Sequence, residues 1–199
     1  MRRNAPLGLL LAPGAGAERD HAQLVAVDDV ATAAGASVVR MDFPYRIAGR
    51  RAPDRAPVLV EAVGVEADAL GLRTAATVLG GRSMGGRMCS MAVAEGRVRG
   101  AAGLVLISYP LHPPSKPERM RTEHFPQLAV PCLFVSGTRD AFGSPEELAG
   151  ATASIPGPVT HRWIEGKDHG LRNVEAAVAA EVLAWMAEQW PAQIHRAQA

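Results

Sequence analysis

Short apolar runs alternate with stretches of helical spacing along the whole chain. Leu7–Ala12 and residues 37–41, 77–81, 103–107, 132–136 and 160–164 have strand length. Most are continuously apolar rather than alternating, the pattern of a strand covered on both faces of a parallel sheet. Between them, Leu24, Val27, Ala31 and Ala34 fall at helical spacing, with Gly35 as a stop. Leu59, Ala62 or Val63, Ala69 and Leu70 predict a second helix ending at Gly71. Ser144-Pro145-Glu146-Glu147 has the capping-box form that opens a helix. A last helix begins near Asn173, lines up Val174, Val178, Val182 and Trp185, and stops at Pro191. Strand and helix alternating in this way predict an α/β fold: a three-layer α/β/α sandwich of about six mostly parallel strands.

Two proline-rich stretches, residues 42–57 and 109–131, resist this scheme. Both follow strands. In an open parallel sheet the loops beyond the carboxyl ends of strands build the binding crevice, so both are expected to line a site. Arg2 and Arg3 ahead of Leu7–Ala12 imitate a secretion signal, but Pro13 breaks the apolar stretch and the same residues read better as a buried first strand.

The 199 residues favour one domain spanning 1–199, and 48% hydrophobic residues supply a core. The 21 Lys+Arg and 20 Asp+Glu nearly cancel, which argues against nucleic acid as a partner. No apolar run approaches a membrane span. Cys89 and Cys132 form no C-x-x-C pair, so neither a disulfide framework nor a cysteine-rich metal site is expected, and a reducing, cytoplasmic setting fits. Oligomeric state cannot be read from the chain.

The strongest chemical signal is the apolar strand running into Gly81-Arg82-Ser83-Met84-Gly85 and then a helical stretch. G-x-S-x-G in that context is a nucleophile elbow: the turn is so tight that side chains two positions either side of the serine would clash. A serine hydroxyl needs an adjacent base, itself oriented by an acid. In the order serine, acid, histidine, Asp140 follows the fifth strand and His169 follows the sixth, just before the last helix. His161 reads as structural, His21 as a helix start, His195 as tail, and Asp168 as a turn carboxylate. His112 and His124 remain pocket candidates. Oxyanion donors are expected at the Met84 N–H and in the loop after the first strand, at Ala15 and then Gly14. Phe43, Tyr45, Tyr109 and Phe142 each lie just beyond a strand end and are expected to shape an acyl pocket. Cys89, Cys132, Met88 and Met91 read as core, and the tryptophans as packing.

A rival reading uses the same first loop. Gly14-x-Gly16 after a strand, with Asp42 ending the second strand, resembles the opening of a dinucleotide-binding Rossmann-like unit, but Arg19 stands where the third glycine belongs.

With these residues placed, the chain resembles the α/β-hydrolase superfamily, and within it the small dienelactone-hydrolase-like branch that includes regulatory subunit 3 of the non-specific-lethal acetyltransferase complex. The matching segments are Pro13-Gly14-Ala15-Gly16, Arg40-Met41-Asp42-Phe43-Pro44-Tyr45, Gly80 to Arg87, Tyr109 to Pro114, Arg121-Thr122-Glu123-His124, Gly137 to Gly143 and Asp168-His169. The resemblance implies strand order 4-3-5-6-7-8 in the superfamily's convention and no separate lid. It also implies a Ser83, Asp140, His169 triad acting on a small-molecule acyl ester without metal or organic cofactor. Relatives usually carry histidine before the glycine run, where this chain has Pro13. Because some relatives work as complex subunits, a catalytically idle interaction module on the same fold is the alternative.

Overall fold

The computed structural model describes residues 5–194; Arg2, Arg3 and His195 lie outside them. Six strands, β1 (Leu7–Ala12), β2 (Ser37–Arg40), β3 (Ala76–Arg82), β4 (Ala101–Ile107), β5 (Cys132–Gly137) and β6 (Val159–Ile164), form one sheet in the order β2-β1-β3-β4-β5-β6. Every neighbouring pair is parallel. Translated into the superfamily's numbering, this is the order the resemblance implies. The helices are α1 (Ala22–Ala33), α2 (Pro44–Ile47), α3 (Ala56–Gly71), α4 (Met84–Ala94), α5 (Pro145–Thr152) and α6 (Glu175–Gln189), with a 3-10 turn at Phe125–Gln127.

The continuously apolar strands are explained by a core on each side. Leu7, Leu9 and Leu11 of β1 enter the cluster under α1 and α6, whereas Leu10 and Ala12 enter the one under α3, α4 and α5. Val105, Ile107, Leu133 and Val135 follow the first set; Leu104, Leu106, Cys132 and Phe134 follow the second. The two-residue strand period therefore feeds both layers, and polar positions would face apolar surface either way. Each such leucine contributes about 1.5–3 kcal/mol by leaving water.

The helix signals hold, with local corrections. Ser144 accepts from Glu147 N while the Glu147 carboxylate accepts from Ser144 N, a complete capping box. Val178, Val182 and Trp185 are buried on α6, and the Trp190 indole meets Trp185 edge-on. Ala69 is exposed, and Val60, Gly64 and Ala67 make the buried face of α3 with Leu59, Val63 and Leu70. Trp163 on the edge strand β6 is 36% exposed and packs by stacking on the His161 ring, outside the two core clusters. Residues 42–57 are less irregular than their prolines suggest. Pro44 and Pro57 sit in the first turns of α2 and α3, where a missing N–H costs nothing, so they start helices rather than break them.

Candidate active site

The backbone of the elbow is strained in the way a tight strand-to-helix turn demands. Ser83 takes φ 51°, ψ −118°, between the end of β3 and the start of α4. A methyl group on Gly81 would stand 2.3 Å from Ala12 O, and one on Gly85 would stand 2.2 Å from Ala12 O and 2.5 Å from Pro13 O. Only glycine lets α4 lie this close to the end of β1.

Ser83, Asp140 and His169 converge at the carboxyl edge of the sheet. His169 Nε2 is 2.9 Å from Ser83 Oγ. His169 Nδ1 is 2.8 Å from Asp140 Oδ2 and 3.0 Å from Oδ1. With Nδ1–H donating to the carboxylate, Nε2 is left to accept from the serine hydroxyl. The Asp140 side chain is 1% exposed and also accepts from Phe142 N at 2.8 Å, so its orientation is held from two sides. The Phe142 ring stacks on the imidazole, 4.0 Å between centroids. The loop carrying His169 is tied down by Gln23 Nε2, which donates to Gly170 O and Leu171 O, and by Arg82, which donates to His169 O at 3.0 Å. Asp168 accepts from Gly170 N within that turn and does not meet the imidazole.

The loop after β1 folds over the serine: a methyl group on Gly14 would lie 3.6 Å from Ser83 Cβ. Gly16 N donates to the Tyr45 hydroxyl and Ala17 N to Gly14 O. The Met84 N–H is the first of α4 and has no intrahelical acceptor. Ala15 and Met84 both line a cleft of about 430 Å³ that opens on Ser83, together with Arg82, Arg87, Pro110, Arg121, Phe142 and His169.

Of the aromatic residues expected to shape an acyl pocket, Phe142 alone lines this cleft. Phe43 and Tyr45 are fully buried and stack on each other, and the Tyr45 hydroxyl anchors the Gly14–Gly16 loop instead of facing a ligand. Tyr109 is buried among Phe125 and Phe134, and its hydroxyl donates to Arg121 O at 2.7 Å; burial raises its pKa. His112 is likewise buried, with its ring on Pro113 O and near Glu147, while its N–H donates to Phe142 O and steadies that ring. These residues lie beyond strand ends, but each side chain turns inward because the loops close over the sheet rim.

The remaining candidates have structural surroundings. His124 Nε2 is 2.7 Å from Ser90 Oγ, and burial, aided by the Arg87 charge, lowers its pKa to about 4. His161 contacts Thr152, and His21 caps α1. The Cys89 and Cys132 thiols are buried and pushed up to about 12, so neither is a nucleophile at neutral pH. Asp42, the carboxylate a dinucleotide ribose would need, is engaged by the side chain and N–H of Arg19. Among the described residues no His, Cys, Asp and Glu group is arranged to hold a metal, and no helix is long and apolar enough to cross a membrane. A larger apolar groove of about 580 Å³ between α2 and α3 holds none of the reactive groups.

Arg82, Arg87 and Arg121 did not emerge as site residues from the sequence. Arg82 and Arg87 were within reach, since they lie immediately before Ser83 and four residues after it, one helical turn on.

A strained serine at a strand-to-helix elbow, beneath a glycine loop at the rim of a parallel sheet, is the architecture of an α/β hydrolase. The alpha/beta hydrolase domain model matches residues 6–192, and the chain belongs to that family. Its fold is similar to Est1E from Butyrivibrio proteoclasticus, solved with ferulic acid bound (15% identity, TM-score 0.79, 95% of this chain and 91% of that one). It is also similar to a dienelactone hydrolase from Anabaena variabilis (17% identity, TM-score 0.72, 96% and 88%). A third likeness is to the esterase domain of a Rhodothermus marinus protein (17%, TM-score 0.70, 93% and 88%).

Proposed function

We propose that this protein is a serine hydrolase that cleaves a small carboxylic ester through an acyl-enzyme. The observation that carries the reading is the unbroken run of hydrogen-bonding contacts from Ser83 Oγ through His169 to Asp140. Ser83 Oγ attacks the carbonyl carbon as its proton passes to His169 Nε2. Asp140 keeps Nδ1 protonated and stabilises the imidazolium. The carbonyl oxygen becomes an oxyanion facing the Ala15 and Met84 N–H groups, with the amino end of α4 adding favourable potential. Collapse expels the alcohol, which takes the proton from His169. Water then gives a proton to His169 and its oxygen to the acyl carbon, and the carboxylic acid leaves as Ser83 recovers its proton. Neither half-reaction requires a cofactor.

An aryl fluorophosphonate should attach once per chain, and peptide mapping should locate the adduct on Ser83. Labelling elsewhere, or none in folded protein that also fails to hydrolyse p-nitrophenyl acetate and butyrate, overturns the proposal.

The Tyr45 hydroxyl gives this reading a finer test, since it touches no substrate and holds the loop that carries Ala15. Tyr45→Phe removes one hydrogen bond worth about 1 kcal/mol. The expected outcome is a kcat lower by about threefold to tenfold with KM nearly unchanged, because the loop serves the transition state.

A further inference from the structure

The described arginines divide into three groups. Arg19, Arg40, Arg46, Arg50, Arg97, Arg119 and Arg162 pair with carboxylates. Arg51, Arg55, Arg73, Arg99, Arg139 and Arg172 have no such partner and are exposed to water. Arg82, Arg87 and Arg121 are half-buried, all line the cleft beside Ser83, and form no ion pair among the described residues.

Withdrawing a guanidinium from water without a counter-ion is costly, and what compensates these three is thin. Arg82 donates to His169 O, and Arg121 reaches Pro110 O only at 3.5 Å. Nε of Arg82 and Nε of Arg87 are buried without any acceptor. Burial lowers the pKa of Arg82 and of Arg121, and for Arg121 the neighbouring Arg87 charge adds to it. Two carboxylates act on Arg82 from nearby, but Asp140 is committed to His169 and Asp168 accepts from Gly170 N, and Glu95 and Glu123 line a second depression with Arg87 without pairing with it. The cluster is not a by-product of a basic chain, whose net charge is +1. Its placement is also built: the Arg121 N–H donates to Leu111 O, and its carbonyl accepts from the buried Tyr109 hydroxyl.

We infer that the ester this site takes carries an ionised oxyanion group, a carboxylate or phosph(on)ate, that lies among Arg82, Arg87 and Arg121 while its ester carbonyl lies at Ser83. This deepens, and rests on, the hydrolase reading above. A planar guanidinium recognises such groups through paired N–H donors, and three around one cleft of about 430 Å³ leave room for a short acyl chain between anion and ester. The free anion supplies the charge the cleft lacks, so binding relieves an unpaired cation at the moment it orients the carbonyl.

The test is a charge series of 4-nitrophenyl esters of one length. The acyl group is adipate ending in carboxylate, the isosteric carboxamide, 6-aminohexanoate ending in ammonium, or 5-phosphonopentanoate. The carboxylate or the phosphonate should exceed the carboxamide in kcat/KM by about tenfold to a hundredfold, with the ammonium ester slowest. Whichever anion is faster assigns the source. The anion-to-carboxamide ratio, measured within each protein, should fall towards one in Arg87→Gln plus Arg121→Gln and should shrink with added NaCl. Equal rates for anionic and carboxamide esters in protein that labels at Ser83 overturn the inference and leave the hydrolase reading standing. Calorimetry on Ser83→Ala protein separates the two further. Binding of adipate but not adipamide, weakened by the arginine substitutions, supports the anion site even if the parent turns over no ester. Absence of both binding and preference overturns it.

Discussion

Replacing Ser83 with alanine is expected to lower kcat for an activated aryl ester by ~10⁴- to 10⁶-fold, and adding His169→Ala to the same protein should cost little more. The reason is that in the proposed mechanism the hydroxyl and imidazole perform one step. His169 Nε2 sits 2.9 Å from the hydroxyl whose proton it would receive. Without the oxygen there is nothing to deprotonate, and without the base the oxygen is a poor nucleophile. Asp140→Asn should be nearly as damaging, by ~10⁴, because an amide facing Nδ1 favours the wrong tautomer and presents Ser83 with an N–H instead of a lone pair. All three variants should keep the parent's thermal midpoint within a few degrees, since the residues form a small part of the packed interior. Single-turnover measurement of p-nitrophenol release checks the set. Rates that multiply in the double variant, as if serine and histidine acted independently, would sink the shared step.

How much of this was legible beforehand follows from where each signal resides. The inner strands β1, β3, β4 and β5 could be found because each is short, apolar and largely buried on both faces, so a local count of apolar residues suffices, whereas the edge strands β2 and β6 are only partly buried. The elbow could be found because G-x-S-x-G between an apolar strand and a helix is a local pattern, although the closest contacts its glycines permit are with Ala12 and Pro13, far away in the sequence. Asp140 and His169 needed only chain order and a strand before each. Tyr45, Tyr109 and Phe43 were misread because position beyond a strand end does not fix which way a ring points. That direction is set by distant partners: Gly16 N for Tyr45, and Phe125, Phe134 and Arg121 O for Tyr109. Arg121 is the extreme case. It lies in the stretch 109–131 expected to line a site, but no local pattern singles it out there, and it faces Ser83's side of the molecule because a tyrosine twelve positions earlier holds its carbonyl. Pro44 and Pro57 mislead for the opposite reason, since local breakers become helix starters when they fall in the first turn.

The elbow glycines carry the second large effect, on the fold itself. Gly85→Ala adds one methyl group and would place it 2.2 Å from Ala12 O and 2.5 Å from Pro13 O, both main-chain atoms with nowhere to go. Relief requires moving α4 away from β1, which breaks the approach of the Gly14–Gly16 loop to Ser83 and opens the core beneath Met88 and Cys89. A destabilisation of about 3 kcal/mol or more is expected, a large share of the ~5–15 kcal/mol that holds a typical domain together. The same chemical change at Gly150 should do the reverse. That glycine lies within α5, has no atom near its missing Cβ and takes no left-handed backbone, so alanine there should stabilise by about 0.5–1 kcal/mol through helix propensity. Thermal denaturation of the two variants beside the parent is the measurement. A fall at 85 with a rise at 150 attributes the loss to main-chain contact at the elbow. A fall at both would mean that backbone freedom, and not the closeness of Ala12 and Pro13, is what glycine supplies beside Ser83.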